Sequence, residues 1–219
     1  MEEEWLSLAN RLENCYTGAV YDVLREMGIE NRTLSSQMRP INISSKLAGR
    51  IFTVSGHYNK LLDPHETLLK WTGFLSKAPR NHVIICQPND HAVAHMGELS
   101  AETLLLKGVR GYIVDGGCRD SDFIEKVGFK VFCKYYSPAD IVGCWTPDIL
   151  DQTIIIDGIT IQSGDYVLAD RDGVVIIPGT IVETVITRTE NVMRKENLVR
   201  KAILSGVDPQ VAYLEYGIF

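Results

Sequence analysis

The sequence predicts an α/β domain with a parallel βαβαβ segment at its centre, then a β-hairpin region and a long C-terminal helix. Three observations carry that expectation. Short apolar runs at 83–86, 111–114 and 131–133 alternate with helix-like segments, a spacing that calls for parallel strands joined by right-handed crossovers. Asp157-Gly158 stands between two isoleucine-rich runs, as in a two-residue hairpin turn. The mixed-charge stretch from Thr180 to Leu204, closed by Gly206, reads as a long helix.

Taken in order, residues 1–30 are expected to be helical. Thr17 is the expected N-cap of a helix to Met27, with Val20, Val23, Leu24 and Met27 as its apolar stripe and Gly28 at C′. A loop then runs to Pro40, and Gly49–Val54 reads as a strand. Leu61–Ala78 has helical character and stops at Pro79. The strand at 83–86 leads to a helix over Glu98–Lys107, ended by Gly108. The strand at 111–114 leads to a short helix over Asp122–Val127, ended by Gly128, and then to the strand at 131–133. Thr153–Ile156 and Ile159–Ile161 form the hairpin, and Asp165–Ala169 and Gly173–Ile177 form two more strands. The tail, 207–219, carries Val211, Tyr213, Leu214, Tyr216 and Phe219, and is expected to dock on its own body or on a neighbouring subunit.

A chain of 219 residues suits one domain and can bury a core without disulfides or structural metals. Its net charge of -6 argues against direct nucleic-acid binding, which needs a basic face. No apolar run is long enough to cross a bilayer. The acidic start, Met1-Glu2-Glu3-Glu4, shows no signal peptide, and the five scattered cysteines contain no C-x-x-C pair. The expected location is cytoplasmic, with reduced thiols.

Ligands of open α/β sheets bind beyond the carboxyl ends of parallel strands. Two segments fall there: Gly97-Glu98-Leu99-Ser100-Ala101, and Asp115-Gly116-Gly117-Cys118-Arg119-Asp120. They follow consecutive strands, so Glu98, Arg119 and Asp120 should converge. One or two carboxylates with several waters suit magnesium or manganese. A guanidinium fork suits a substrate carboxylate. The helix start at Gly97, Leu99 and Ser100 offers free N–H groups to an anion, and Gly116 and Gly117 let the backbone approach a ligand. Together these suit a small 2-oxo acid chelating a divalent cation.

Each residue also has a purely structural reading. Asp120 or Asp122 serves as a cap, Asp122 and Glu125 having capping-box spacing; Glu98 opposes a helix dipole; Arg119 is a surface side chain. It is the joint placement of the three that favours a site. His91 and His95 have the spacing of a zinc pair but lack the intervening glutamate, and read as packing or site wall. Neither G-x-G-x-x-G nor G-x-x-x-x-G-K-[ST] occurs, which argues against nucleotide binding.

At these residues the sequence resembles the RraA-like family, which includes 4-hydroxy-4-methyl-2-oxoglutarate aldolases. The match runs through Gly97-Glu98-Leu99-x-Ala101 and Gly111-x-Ile113-Val114-Asp115-Gly116-Gly117-x-Arg119-Asp120, with twenty residues between Glu98 and Arg119. Gly164-Asp165-Tyr166 and Ala169-Asp170-x-Asp172-Gly173-Val174-Val175 also fit. The resemblance implies a swivelling β/β/α fold assembled as a homotrimer or a dimer of trimers. It implies that Asp120 binds magnesium or manganese, that Arg119 binds the pyruvyl group, and that Glu98 holds metal-bound water. A glutamate from an adjacent subunit's C-terminal helix is also implied, for which Glu196 is the candidate. The family's usual acid three residues after the Arg-Asp aspartate is Phe123 here, with Asp122 beside it.

The expected activity is a metal-dependent lyase that cleaves a carbon–carbon bond of a 2-oxo acid through a pyruvate enolate. This is retro-aldol cleavage of a 4-hydroxy-2-oxo acid, decarboxylation of oxaloacetate, or both. The alternative that the resemblance implies is a regulator that binds ribonuclease E or a related RNA-processing protein.

Overall fold

The computed structural model describes residues 2–219. In chain order the helices are α1 (Glu2–Glu13), α2 (Thr17–Glu26), α3 (Pro64–Lys77), α4 (Glu98–Leu106), α5 (Ser121–Val127), α6 (Val182–Leu204) and α7 (Pro209–Tyr216). The strands are β1 (Arg39–Pro40), β2 (Leu47–Tyr58), β3 (His82–Gln87), β4 (Gly111–Val114), β5 (Gly117–Cys118), β6 (Val131–Cys133), β7 (Tyr135–Tyr136), β8 (Trp145–Leu150), β9 (Ile154–Ile156), β10 (Ile159–Ile161), β11 (Tyr166–Ala169) and β12 (Val174–Ile177).

The main sheet runs β1-β6-β4-β3-β2-β11-β12, with β8 added to the far half of β2. β2, β3, β4 and β6 are mutually parallel, and the remaining strands of this sheet pair antiparallel. The βαβαβ segment is therefore as the alternation predicts, inside a mixed sheet. β3 shows why its run is continuously apolar. Ile84 and Cys86 pack with Trp71, Phe74, Ala101, Leu104 and Ile124, while Val83 and Ile85 pack on the other face with the hairpin isoleucines. A strand buried on both faces has no polar alternation.

The hairpin β9–β10 turns at Asp157 and Gly158, both with positive φ (52° and 78°), as a two-residue turn requires. At the other end of the sheet α1, α2 and α6 pack over β11 and β12 through Ala9, Leu12, Val20, Leu24, Val185 and Ile186.

Several boundaries differ from expectation. Thr17 is the first helical residue of α2, not its cap. Asp170, from the turn between β11 and β12, accepts both the Thr17 N–H (2.9 Å) and its hydroxyl (2.7 Å). α3 starts at Pro64 because Asp63 caps it, accepting the Glu66 N–H. β8 was not foreseen. It contains Pro147, which sits beside the irregular part of β2 at Ser55/Gly56. The tail forms α7, which packs on α6 with Ala212 fully buried, while Val211, Tyr213, Leu214 and Phe219 remain exposed. Among the described residues no helix is long and apolar enough to cross a membrane.

Candidate active site

β3 and β4 are neighbours, and the loops leaving their carboxyl ends run side by side. The His95 N–H donates to the Gly117 carbonyl (2.8 Å) and the Arg119 N–H to the Met96 carbonyl (2.9 Å). These two bonds bring the start of α4 against Arg119 and Asp120.

Asp120 occupies the N-cap position of α5 with a left-handed backbone (φ 55°), yet its side chain makes no cap bond there. It turns instead to α4, where its Oδ2 accepts the Glu98 N–H at 3.1 Å. α4 needs that acceptor because its own N-cap, Gly97, has no side chain. Gly97 is also required for the approach, since a Cβ there would lie 2.8 Å from Asp120 Oδ2 and 3.2 Å from Arg119 Nε. The capping-box reading of Asp122 and Glu125 fails, because Asp122 is the second residue of α5 and not its cap.

Arg119 lies between two carboxylates. Its Nε is 3.4 Å from Asp120 Oδ2, and its Nη1 donates to Asp140 Oδ2 at 3.0 Å. All three side chains are a little over a third exposed. Nη2 makes no hydrogen bond among the described residues.

Glu98, Arg119, Asp120 and Asp140 line one cleft of about 450 Å³, together with Gly97, Leu99 and Ser100. The rest of the lining is mostly apolar: Leu68, Trp71 and Leu75 from α3, Leu99 itself, and Ile141 and Val142 from the loop before β8, with Thr72 and Thr103 among them. The Trp71 indole N–H donates to Ser100 Oγ (2.9 Å), which fixes the ring against the start of α4.

The expected convergence of Glu98, Arg119 and Asp120 is present. Gly97, Leu99 and Ser100 line the same cleft, but Gly117 does not. Gly117 is buried, and a Cβ there would lie 2.7 Å from the Val93 carbonyl and clash with the edge of the Tyr135 ring. Gly116 is pressed in the same way against His95 and Pro88. These glycines serve loop packing, not ligand approach. Glu196 lies in a separate groove, with its carboxylate hydrogen-bonded to the Tyr16 hydroxyl of the same chain. Phe123 is exposed with Lys126 over its ring, and neither it nor Asp122 lines the cleft.

His95 is buried at 1% exposure and packs edge-on against Trp145. Burial pulls its pKa down to about 4, against the opposing pull of Asp90. Its Nε2 is 3.2 Å from Asp90 Oδ2 without the alignment of a hydrogen bond. His95 is a packing histidine that also lines the cleft, and the exposed His91 does not join it there. Asp140 escaped sequence reading because it lies in an irregular loop with no periodicity or motif around it.

Among the described residues no three His, Cys, Asp or Glu side chains are grouped as a closed metal cage. The donor set fits a hard, water-rich cation instead. Asp120 and Glu98 offer carboxylate oxygens, and Asp120 Oδ1 and the Glu98 side chain have no partner among the described residues.

Residues 17–176 match the family model described as RraA-like, Aldolase/RraA. The chain belongs to the RraA-like family. Among relatives, it is 26% identical over 216 residues to protein DlpA of Legionella pneumophila, covering 96% of this chain and 34% of DlpA. It thus spans about a third of that relative's length. A Halalkalibacterium halodurans protein, provisionally named 4-hydroxy-4-methyl-2-oxoglutarate aldolase, is 25% identical and covers 83% of each chain. The RraA-like fold is also found in Streptomyces coelicolor RraAS2, described as an unusual member of the RNase ES inhibitor RraA family. That structure matches with a TM-score of 0.77 at 21% identity, covering 89% of this chain and 96% of that one. At that identity the likeness is one of fold.

Proposed function

We propose that this RraA-like chain is a divalent-metal-dependent lyase that cleaves a carbon–carbon bond of a small 2-oxo acid. The observation that carries the reading is the convergence of Arg119, Asp120 and Glu98 at the start of α4, in one cleft.

Arg119 has Nη2 free for a substrate carboxylate, while Asp140 and Asp120 hold the rest of the guanidinium in place. The N–H groups of Leu99 and Ser100, in the first turn of α4, have no intrahelical acceptor and add a second anion contact. Asp120, and Glu98 through water, would hold magnesium or manganese, which when bound supplies a Lewis acid for the 2-oxo oxygen. Glu98 would move protons through a water at its carboxylate. In a retro-aldol reaction the C4 hydroxyl gives up its proton and the C3–C4 bond breaks. The electron pair passes to C3 and is shared with the 2-oxo group, and an aldehyde or ketone leaves. Protonation at C3 then gives pyruvate. Loss of CO2 from oxaloacetate passes through the same enolate.

The test is pyruvate release from oxaloacetate and from 4-hydroxy-2-oxo acids, with magnesium or manganese, with chelator, and in Arg119→Ala. Metal-dependent release that Arg119→Ala abolishes supports the lyase. Absence of release from every 2-oxo acid tried overturns it.

The exposed apolar face of α7 favours a second reading, a protein-binding regulator of RNA processing. Recovery of a ribonuclease on a protein inert toward 2-oxo acids would select that reading. The same face suits contact between copies in a homotrimer, which light scattering of the purified chain would test.

A further inference from the structure

The cleft lining is of two kinds. One is charged: Arg119, Glu98, Asp120 and Asp140. The other is an apolar wall of Leu68, Trp71, Leu75, Leu99, Ile141 and Val142. The volume, about 450 Å³, is more than a three-carbon acid needs and lies within the range of about 300–1,000 Å³ usual for larger ligands.

Charge decides what the apolar lining can hold. Among the described lining residues Arg119 is the sole Lys or Arg, against three carboxylates, and it already gives one N–H to Asp140. A divalent cation would bring the charged lining only to neutrality. A second substrate carboxylate would therefore meet at most the N–H groups of Leu99 and Ser100 and no second cation, which favours an apolar group there over a second charge. The wall itself has little internal packing role at its rim: Leu99 is 77% exposed and Leu68 44% exposed. The Trp71 N–H is taken up by Ser100, so the indole offers the cleft carbon surface and no donor.

We propose that the substrate carries one carboxylate, held by Arg119, and an apolar aryl or branched alkyl group, seated against the wall of Leu68, Trp71, Leu75, Leu99, Ile141 and Val142. This rests on the lyase reading and names its substrate class: a 4-hydroxy-2-oxo acid with an apolar substituent at C4. Cleavage of its C3–C4 bond, with the hydroxyl proton lost from C4 oxygen and one gained at C3, gives pyruvate and an apolar aldehyde.

Calorimetric titration of the full chain in magnesium buffer tests the preference without turnover. The probes are phenylpyruvate, with one carboxylate and a ring, and 2-oxoglutarate, with two carboxylates. Phenylpyruvate is expected to bind about tenfold more tightly or better, the effect of burying part of a ring. Leu99→Arg, at an exposed rim position, should narrow that ratio by about tenfold by supplying a cation for the second carboxylate. Equal or tighter binding of 2-oxoglutarate overturns the inference and leaves the lyase reading standing, as does an unchanged ratio in Leu99→Arg. Binding of neither probe also overturns the inference, while the lyase reading is decided separately by pyruvate release from oxaloacetate. Pyruvate release should follow the same order, with 4-hydroxy-4-phenyl-2-oxobutanoate cleaved faster than 4-hydroxy-4-methyl-2-oxoglutarate.

Discussion

The Asp120 carboxylate, standing at the head of α5, caps α4 instead, with Oδ2 accepting the backbone N–H of Glu98 at 3.1 Å. One side chain thus closes a helix and faces the cleft. The two duties separate on substitution. Asp120→Asn keeps an acceptor for Glu98 and loses the charge, so pyruvate release should fall by about 100-fold with little change in urea midpoint. Asp120→Ala loses both, and should also lower stability by about 1 kcal/mol, the usual cost of a lost cap. Paired activity and urea measurements check this.

Gly97→Ala tests the close approach. The φ at Gly97 is -142°, so alanine fits the backbone, but its Cβ would press on Asp120 Oδ2 and Arg119 Nε. The expected result is a loss of activity larger than the loss of stability, the latter about 1–2 kcal/mol. Wild-type activity in this variant would show that Asp120 and Arg119 need not sit where they do.

Arg119→Lys keeps a positive charge and loses the fork that spans Asp140, Asp120 and the substrate. Steady-state kinetics should show kcat/KM lowered by about 100-fold, or about 2.7 kcal/mol. Thermal stability should barely move, because ion pairs this exposed add little to folding.

Gly117→Ala is expected to act on folding. The added methyl would meet the Val93 carbonyl at 2.7 Å and the Tyr135 ring, an overpacked core contact costing about 1–3 kcal/mol. Chemical denaturation reads that cost directly. A stable variant with lost binding would instead restore this glycine to the ligand site.

His95 gives a pH signature. Its folded pKa, about 4, lies below the ordinary value of 6.5, because burial disfavours the charged ring. Below pH 6.5 the unfolded chain therefore binds a proton that the folded chain refuses. Stability from this group is complete above pH 6.5 and is lost as pH falls toward 4, by at most about 1.4 kcal/mol per pH unit. Urea midpoints measured from pH 7 to 4.5 should fall, and the slope should be shallower in His95→Gln.

The parallel centre and the charged end of the cleft were legible in sequence because both rest on local signals. Apolar runs of strand length alternate with helical ones, and Gly97-Glu98 and Arg119-Asp120 each follow a strand. What could not be read depends on distant partners. Asp170 caps α2 across 153 residues, so Thr17 alone looked like the cap. β8 carries Pro147 and pairs only with the far half of β2, beside its irregularity at Ser55/Gly56, a pairing no local signal gives. Asp140 and the α3 wall meet Arg119 only through tertiary packing, and their side chains carry no spacing that announces it. The tail's apolar residues predict docking but not its extent: Ala212 is buried against the chain, while Val211, Tyr213, Leu214 and Phe219 stay exposed.

The charged lining of the cleft is carried by the loops after β3 and β4, with Asp140 from farther along, whereas most of the apolar lining comes from α3 and residues 141–142. Reactivity and cargo choice are thus written on separable stretches of polypeptide. A library confined to Leu68, Thr72, Leu75 and Val142 would sample new tails while the acid-gripping hardware stayed untouched, which makes this scaffold a practical starting point for retargeting.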